Sequence, residues 1–388
     1  MTALPTFSRR ARWLVPVGAV AVAGAVTAGS IISVAQASPE LPARTPAQLL
    51  AAVAGQTAPP PAFTGTVVET ANLGLPQLPD AGNQNSPVSL LSGNHTVNIW
   101  YASPQRFRLS VPVPMSETDL IRNGRQAWMW QSSANTVTRM RLPAKAAAGE
   151  VTPAPSSVPL TPQQAASRVL KAVGPSTAVS VQRTVTVAGQ PAYQLSLRPK
   201  SSGSLVGRVT IALDAAKNVP LRVQVFARGA TTPAFQVGFT SISFVTPAAG
   251  NFSFTTPRGA TVKTVTGPAD QPGSHGAARH AGHQGQVVGQ DWLSVAVLPA
   301  SALNGLTGMA GPAGGQGAKS AAPGAGGSGD SAAIAGALLG SARAVHGAWG
   351  SGRLLRTSLI SVLITDSGHV LVGAVTPAVL YHAAAGLK

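Results

Sequence analysis

Apolar and polar residues alternate along several stretches of the chain. From Val97 to Tyr101, and again from Phe107 to Val111, apolar side chains occupy every second position. This period of two is typical of β-strands that bury one face. The alternation resumes at Val179 and continues to Phe254, with turn residues between successive stretches. Short strands separated by turns predict one antiparallel sheet with an apolar face and a polar face.

Two helices with the same start signal interrupt this pattern. Thr45–Gln48 (TPAQ) and Thr161–Gln164 (TPQQ) each offer Thr as the N-cap, Pro at the first helical position and Gln two residues later. These residue types form a capping box, which satisfies free backbone amides at a helix start. The second helix carries its apolar residues at helical spacing. We expect the two helices to cover the apolar face of the sheet.

A hairpin is predicted near the middle of the first group of strands. Asn123-Gly124 is a strong turn signal, and it precedes a strand over Gln126–Gln131 in which Trp128 and Trp130 share one face. The hairpin therefore adds two strands to the same predicted sheet.

One linker separates the predicted sheet from a C-terminal part, and a second interrupts that part. Residues 267–286, rich in Gly and His, are the first, and residues 305–329, rich in Gly and Ala, are the second. The remaining elements are strands at Val287–Leu298, Arg353–Thr365 and His369–Val375, a helix at Ala332–Val345 and a last helix after Thr376-Pro377. The predicted fold class is α+β, with a main domain over residues 40–266 and a small βαββα appendage over residues 287–388.

The N-terminal segment predicts export. Arginines at positions 9, 10 and 12 precede an apolar run over residues 14–34, and the A-x-A sequence ending at Ala37 follows. These are the parts of a signal peptide, and the apolar run is also long enough to remain as a membrane anchor. Residues 1–37 are therefore expected to be either cleaved near Ala37 or retained as an anchor. Both alternatives place the remainder outside the cytoplasm, because the arginines stay inside.

Composition narrows the classes of function. The chain has no Cys, so disulfides, thiol nucleophiles and Cys-ligated metals are excluded. Its net charge is +17, and beyond Arg9, Arg10 and Arg12 the Arg and Lys residues are scattered singly along the strands. Nucleic acid is therefore not expected as a partner, whereas an anionic membrane surface or polymer is.

No motif points to catalysis or to a bound metal. The chain has only 11 acidic residues and contains no G-x-S-x-G elbow, phosphate loop or H-E-x-x-H sequence. His275, His280 and His283 lie in the Gly-rich linker, whereas metal sites need fixed geometry. We expect neither an enzyme nor a cofactor.

Four strand motifs in order resemble the LolA/RseB lipoprotein-carrier superfamily. They are the strand Pro104–Leu109 (PQRFRL), the hairpin Ile121–Trp128 (IRNGRQAW), the strand Tyr193–Lys200 (YQLSLRPK) and the turn Asp214–Arg222 ending in Pro-Leu-Arg. The resemblance, to an exported actinobacterial member, implies a half-barrel of antiparallel strands around an apolar cavity with helices as a lid. It implies a carrier of acyl lipids or lipoproteins. An RseB-like regulator that binds a membrane anti-sigma factor or another envelope protein is the alternative, and a structural envelope protein is a third.

Apolar strand residues are the candidate ligand-binding set for such a cradle. They are Ile99, Phe107, Leu109, Trp128, Trp130, Leu195, Leu197, Ile211 and Phe239. Burial of apolar surface stabilises by about 25 cal/mol per Å², so these side chains could hold an acyl chain without any catalytic group. The same pattern fits a dry packed core, and alternation alone does not separate the two interpretations.

Overall fold

The computed structural model describes residues 39–54, 59–74, 92–142, 159–171, 173–266, 285–300 and 340–387. Its helices are α1 (Pro46–Ala54), α2 (Pro162–Lys171) and α3 (Pro377–Ala385). The strands of the larger sheet are β1 (Phe63–Asn72), β2 (Ser92–Ser103), β3 (Arg106–Val113), β4 (Ser116–Asn123), β5 (Gln126–Gln131), β6 (Thr136–Arg141), β7 (Thr177–Val187), β8 (Gln190–Pro199), β9 (Val206–Asp214), β10 (Pro220–Ala227), β11 (Phe235–Ser243) and β12 (Thr261–Thr266). The smaller sheet consists of β13 (Gln286–Val288), β14 (Val295–Pro299), β15 (Arg343–Gly347), β16 (Gly350–Arg356), β17 (Ser361–Thr365) and β18 (His369–Gly373).

The larger sheet has twelve strands in the order β12-β6-β5-β4-β3-β2-β1-β11-β10-β9-β8-β7. The end strands β7 and β12 do not pair with each other, so the sheet is curved but open. This architecture confirms the predicted curved antiparallel sheet with short helices. One pair departs from the prediction, because β12 runs parallel to β6.

The chain between β11 and β12 is not the strand that the phenylalanines predicted. Residues Ala249–Phe252 form a 3₁₀ helix, and Phe252 is buried. This short helix packs against β3 and β4. The alternation of Phe252 and Phe254 therefore reflects side chains that cover a sheet from outside rather than a strand within it.

The two predicted capping boxes are present. At α1 the Gln48 amide donates to Thr45 Oγ1 over 3.2 Å, and the Thr45 amide donates to Gln48 Oε1 over 2.8 Å. At α2 the amide of Gln164 donates to Thr161 Oγ1 over 3.3 Å, and the reciprocal bond measures 3.0 Å. Helix α2 packs on β10 and β11, and α1 contacts β7. The helices thus cover one face of the sheet, as expected.

The C-terminal part differs from the predicted βαββα order. Its six strands form a sheet in the order β13-β14-β18-β17-β16-β15, followed by α3. Residues 343–347 form β15, which pairs with β16, where the sequence predicted the end of a helix at Ala332–Val345. Pairing across the hairpin outweighs the helical composition there. The first part of that predicted helix lies outside the described residues.

Two predicted single strands are each divided by a turn. Val287–Leu298 becomes β13 and β14, because Gly289 adopts a positive φ of 84° where an added Cβ would lie 2.4 Å from the Leu293 carbonyl oxygen. Arg353–Thr365 becomes β16 and β17, because Thr357 Oγ1 accepts the amide of Ile360 over 2.9 Å and closes a turn. Both turns rest on local side-chain or glycine chemistry that the apolar periodicity does not reveal.

Candidate functional site

The larger sheet buries one face beneath α1 and α2, and we call this the inner face. Strand register places Ile99 opposite Leu109, and Leu195 opposite Ile211. Side chains directly opposite each other on neighbouring strands share a face. The predicted set members on the inner face are Ile99, Phe107, Leu109, Leu195, Leu197, Ile211 and Phe239. The structure therefore brings seven of the nine predicted side chains to one face.

Trp128 and Trp130 are a correction to the predicted set, because they lie on the opposite, outer face. Register pairs Trp128 with Ile121 and with Arg139, whereas the inner-face Leu120 pairs with Met129. Strand β5 is apolar on both faces, so its sequence did not reveal which face turns inward. The Trp128 ring instead contacts Phe254, with 6.1 Å between centroids.

The inner face is densely packed over β8 and β9. Leu195, Leu197 and Ile211 are fully buried in one core with Leu49 of α1 and Ala166 of α2. These side chains fill the space between the sheet and the helices. In this part of the inner face the side chains form a dry packed core, as one of the two interpretations of the sequence predicted. An acyl chain could enter here only by displacing part of helix α1 or α2.

The inner face is less enclosed at Leu109 of β3 and Tyr101 of β2, and we call this part of it the rim. Leu109 and Tyr101 are half-buried and pack against the edge of the same core. Tyr101 stacks on Phe63 with 5.4 Å between ring centroids, and burial raises the pKa of its hydroxyl to about 12. Half-buried apolar side chains beside a covered core form the most accessible part of the proposed cradle.

Side-chain bonds hold α1 and the preceding segment in place. Tyr193 of β8 donates its hydroxyl to the Pro42 carbonyl over 2.8 Å, and Thr184 donates to the Pro39 carbonyl over 2.6 Å. Arg44 lies over the Tyr193 ring at 5.0 Å and donates to Asn218 Oδ1 over 2.9 Å. Helix α1 is thus the fixed part of the cover.

One carboxyl group is buried on the inner face, and the sequence reasoning missed it. Glu69 is 3% exposed and lies opposite His95 on β2. Its Oε2 accepts the backbone amide of Leu160, just before α2, over 3.0 Å. Burial raises the pKa of Glu69, while the Leu160 bond and the charge of His95 partly offset that rise. The sequence offered one sign of this buried carboxyl group: Glu69 follows Val67 by two residues and therefore lies on the same inner face of β1.

The outer face carries a second buried carboxyl group. Asp119 is 2% exposed and forms an ion pair with Arg108, whose guanidinium also lies 5.4 Å from the centre of the Trp100 ring. The 3₁₀ helix that contains Phe252 packs against β3 and β4, the two strands that carry this pair. Asp119 is therefore a structural ion-pair partner.

Backbone bonds join the smaller sheet to one end of the larger one. The amide of Leu205 donates to the Ala374 carbonyl over 2.9 Å, and that of Thr376 donates to the Gly203 carbonyl over 2.8 Å. Leu359 and Trp292 belong to the core of the larger sheet. The smaller sheet therefore closes this end of the inner face with apolar side chains.

Part of the predicted chemistry falls beyond the described residues. His275, His280 and His283 lie outside them, as do residues 1–38 with the predicted signal or anchor. Within the described ranges, no three His, Asp or Glu side chains are grouped as metal ligands. None of the described helices combines the length and apolarity needed to cross a bilayer.

Comparison with known proteins gives structural neighbours but no sequence relatives. No protein-family model and no curated protein matches the chain. MucB of Pseudomonas aeruginosa, solved as a MucA/MucB complex, is 16% identical, with a TM-score of 0.39 over 87% of this chain and 94% of that one. The LolA superfamily protein NE2245 from Nitrosomonas europaea is 11% identical, with a TM-score of 0.22 over 55% of this chain and 99% of that one.

These neighbours include members of the superfamily that the four strand motifs resemble. Because all the quoted TM-scores lie below 0.5, the likeness carries no argument about ligand or partner.

Proposed function

We propose that this chain is an extracytoplasmic carrier that binds the acyl chain of a lipid or lipoprotein on its inner face and catalyses no reaction. The observation that supports this proposal is a largely apolar face, running from β8 to β3, that is covered in the described part of the chain by two short helices and by apolar side chains of the C-terminal part. No catalytic group is required, since binding an acyl chain only transfers its apolar surface out of water.

The free energy of burying methylene groups determines how long a bound acyl chain must be. Each buried methylene contributes about 0.8 kcal/mol, whereas association costs roughly 4–15 kcal/mol before any net affinity remains. About ten methylenes are therefore needed merely to offset the cost of association. The cradle should select long acyl chains and reject short fatty acids.

Helix α2 is the part of the cover that we propose to open. It has ten residues, and helices shorter than about 12–15 residues are marginal without tertiary packing. Its Val169 and Leu170, and Val173 just beyond its end, are only half-buried against the core. An acyl chain entering between α2 and strands β10 and β11 would replace these contacts with its own.

The location and the partner surfaces follow from charge and from the N-terminal segment. The arginines and apolar run before Ala37 support export, by cleavage or with residues 14–34 as an anchor. The net charge of +17 favours anionic membrane surfaces as donor or acceptor. Exposed Arg106 and Arg141 share one cross-strand row on the outer face, which suits lipid phosphates.

A binding assay with labelled palmitate tests the proposal. We expect the purified chain to bind palmitate, and Leu109→Glu to abolish binding while the sheet stays folded, because Leu109 is half-buried at the rim. Met115→Glu is the matched control, since Met115 is fully exposed on the β3–β4 turn and its variant should bind normally. Leu195→Glu should unfold the domain, because an unpaired charge would be buried there. A wild-type chain that refuses palmitate would overturn the proposal.

A second candidate function is regulation, through an extended segment of a membrane anti-sigma factor or another envelope protein. One observation favours it: β15 lies at the edge of the smaller sheet and is largely exposed. Edge strands offer backbone groups to a partner strand. Crosslinking from Ala344→Cys, in a chain that has no other Cys, should then capture an envelope protein, and loss of that capture in Val345→Pro would locate the partner at β15.

A further inference from the structure

A hollow of about 270 Å³ lies on the outer face, where β11, β1 and β2 run side by side. The side chains around it are Thr64, Thr66, Asn98, Trp100, Ser241 and Ser243. Register places Ser243, Thr64 and Trp100 in one cross-strand row, and Ser241, Thr66 and Asn98 in the next. The hollow is therefore a built arrangement of three neighbouring strands, on the face opposite the proposed acyl cradle.

A β-bulge shapes this hollow. Between the pairs Thr66–Ser241 and Val67–Phe239 the register shifts, and Thr240 is the extra residue. Thr240 donates its hydroxyl to the Thr66 carbonyl over 3.2 Å. Gly65 permits the close approach of the strands, since an added Cβ would lie 2.7 Å from the Ser241 carbonyl oxygen and 2.9 Å from the Phe239 ring.

The lining is polar but carries no charged side chain. Thr66 donates its hydroxyl to Asn98 Oδ1 over 3.0 Å, so that the amide nitrogen of Asn98 keeps its two donors. Ser241 Oγ accepts the Thr66 amide over 3.3 Å and retains a hydroxyl proton to donate. Such groups can both donate and accept, and a ligand with many hydroxyls requires that property.

The hollow offers no charged side chain that could bind an anion or a cation. Arg108, the cation beside Trp100 in the same cross-strand row, is ion-paired with Asp119 and lies against the Trp100 ring. Half-buried Trp100 instead offers an apolar ring beside the hydroxyl and amide groups. An apolar ring next to neutral hydrogen-bonding groups suits a sugar, which has C–H faces and a hydroxyl edge.

We propose that this hollow binds one neutral pyranose unit of an extracytoplasmic glycan. Trp100 supports the ring, while Asn98, Thr66 and Ser241 bond its hydroxyls. Pockets for drug-sized ligands occupy about 300–1,000 Å³, so a hollow of about 270 Å³ fits a single sugar ring. This site is separate from the acyl-binding face, and a chain holding both ligands would be tethered to the glycan while it carries lipid.

Saturation-transfer NMR and tryptophan fluorescence of the full chain test the proposal. The probes are the methyl glycosides of glucose, mannose, galactose and N-acetylglucosamine, titrated to about 50 mM, well above millimolar affinities. We expect at least one glycoside to bind saturably and to shift the tryptophan emission. No saturable binding by any of the four would overturn the proposal, as would competition by inorganic phosphate, which would identify an anion site.

Variants locate the binding. Trp100→Ala should weaken it at least tenfold, and Thr66→Val, which keeps the side-chain shape and removes one hydroxyl, should weaken it roughly three- to tenfold. Gln236→Ala is the control, because Gln236 lies on the same face of β11 outside the hollow and bonds Gln224. Equal binding by all three variants and the wild type would place the sugar elsewhere and contradict the proposal. Palmitate binding should be unchanged in each, since the two sites lie on opposite faces.

Discussion

At the scale of single residues, burial separates side chains that hold the sheet together from side chains that a ligand can reach. Leu195 and Ile211 are fully buried in the core, whereas Leu109 is half-buried at its edge. All three were predicted as equivalent members of one cradle, because alternation gives the face of a side chain but not its depth. Depth depends on the helices above the sheet and on the curvature of the strands.

Leu195→Ala and Leu109→Ala should differ in their cost to stability. Removing a fully buried Leu side chain costs about 2–5 kcal/mol, because the cavity only partly collapses, and Leu195 is in that position. Leu109→Ala should cost less, since its surroundings are already partly open. Urea unfolding gives both values. Equal losses would mean that the rim is as closed as the centre of the core.

Glu69 should make stability depend on pH. Its pKa is raised in the folded chain, chiefly by burial, so the folded state holds the proton more tightly than the unfolded state does. The associated stability is present at low pH and is lost as the pH rises through the folded pKa. Glu69→Gln keeps an acceptor for the Leu160 amide and removes the titration. We therefore expect this variant to gain more stability over the wild type at about pH 8 than at about pH 5.

Urea unfolding at both pH values checks this expectation. Glu117→Gln is the control, because it makes the same substitution at an exposed position. A gain from Glu69→Gln that is the same at both pH values would show that burial of the charge carries no penalty.

At the scale of elements, local chemistry was predictable and orientation was not. The capping boxes at Thr45 and Thr161 formed as their sequences indicate, because they need only neighbouring residues. The face of Trp128 depended on register with β4, which a strand apolar on both sides does not specify. The β15 strand depended on pairing with β16. Contacts distant in sequence therefore decided the features that the local pattern left open.

The capping box of α2 should be measurable against a helix that lacks one. Thr161→Ala should cost about 1 kcal/mol, because Thr161 Oγ1 accepts the amide of Gln164. Thr376→Ala at the start of α3 is the matched control, since Thr376 makes no side-chain cap bond there. Urea unfolding should show a loss for the first and a near-zero change for the second. Because α2 is the part of the cover that we propose to open, a less stable α2 in Thr161→Ala should also speed palmitate exchange.

At the scale of the whole molecule, the two sheets are joined rather than merely linked. Each has its own apolar core, yet Leu359 and Trp292 of the C-terminal part pack into the core of the larger sheet. Trp292 Nε1 donates to Thr177 Oγ1 over 2.7 Å, and Ser204 and Val375 form a β-bridge. We therefore expect the two sheets to unfold together.

A substitution at Gly203 tests whether the contact between the two sheets makes them unfold together. An added Cβ would lie 3.0 Å from both Leu293 Cδ2 and Val379 Cγ2, so Gly203→Leu should force the sheets apart. Calorimetry of the wild type should give one transition and that of the variant two. Gly250→Leu is the control, because nothing lies within 4 Å of its added Cβ. Two transitions in the wild type would mean that the sheets fold independently.

The central claim is that the inner face carries an acyl chain, and native mass spectrometry of the chain exported by its host tests it most directly. We expect an adduct with the mass of an acyl lipid or lipopeptide, confirmed after extraction, that is present in Met115→Glu and absent from folded Leu109→Glu. A wild-type chain that emerges empty and stays empty after incubation with palmitate would contradict the account and leave the inner face as ordinary core.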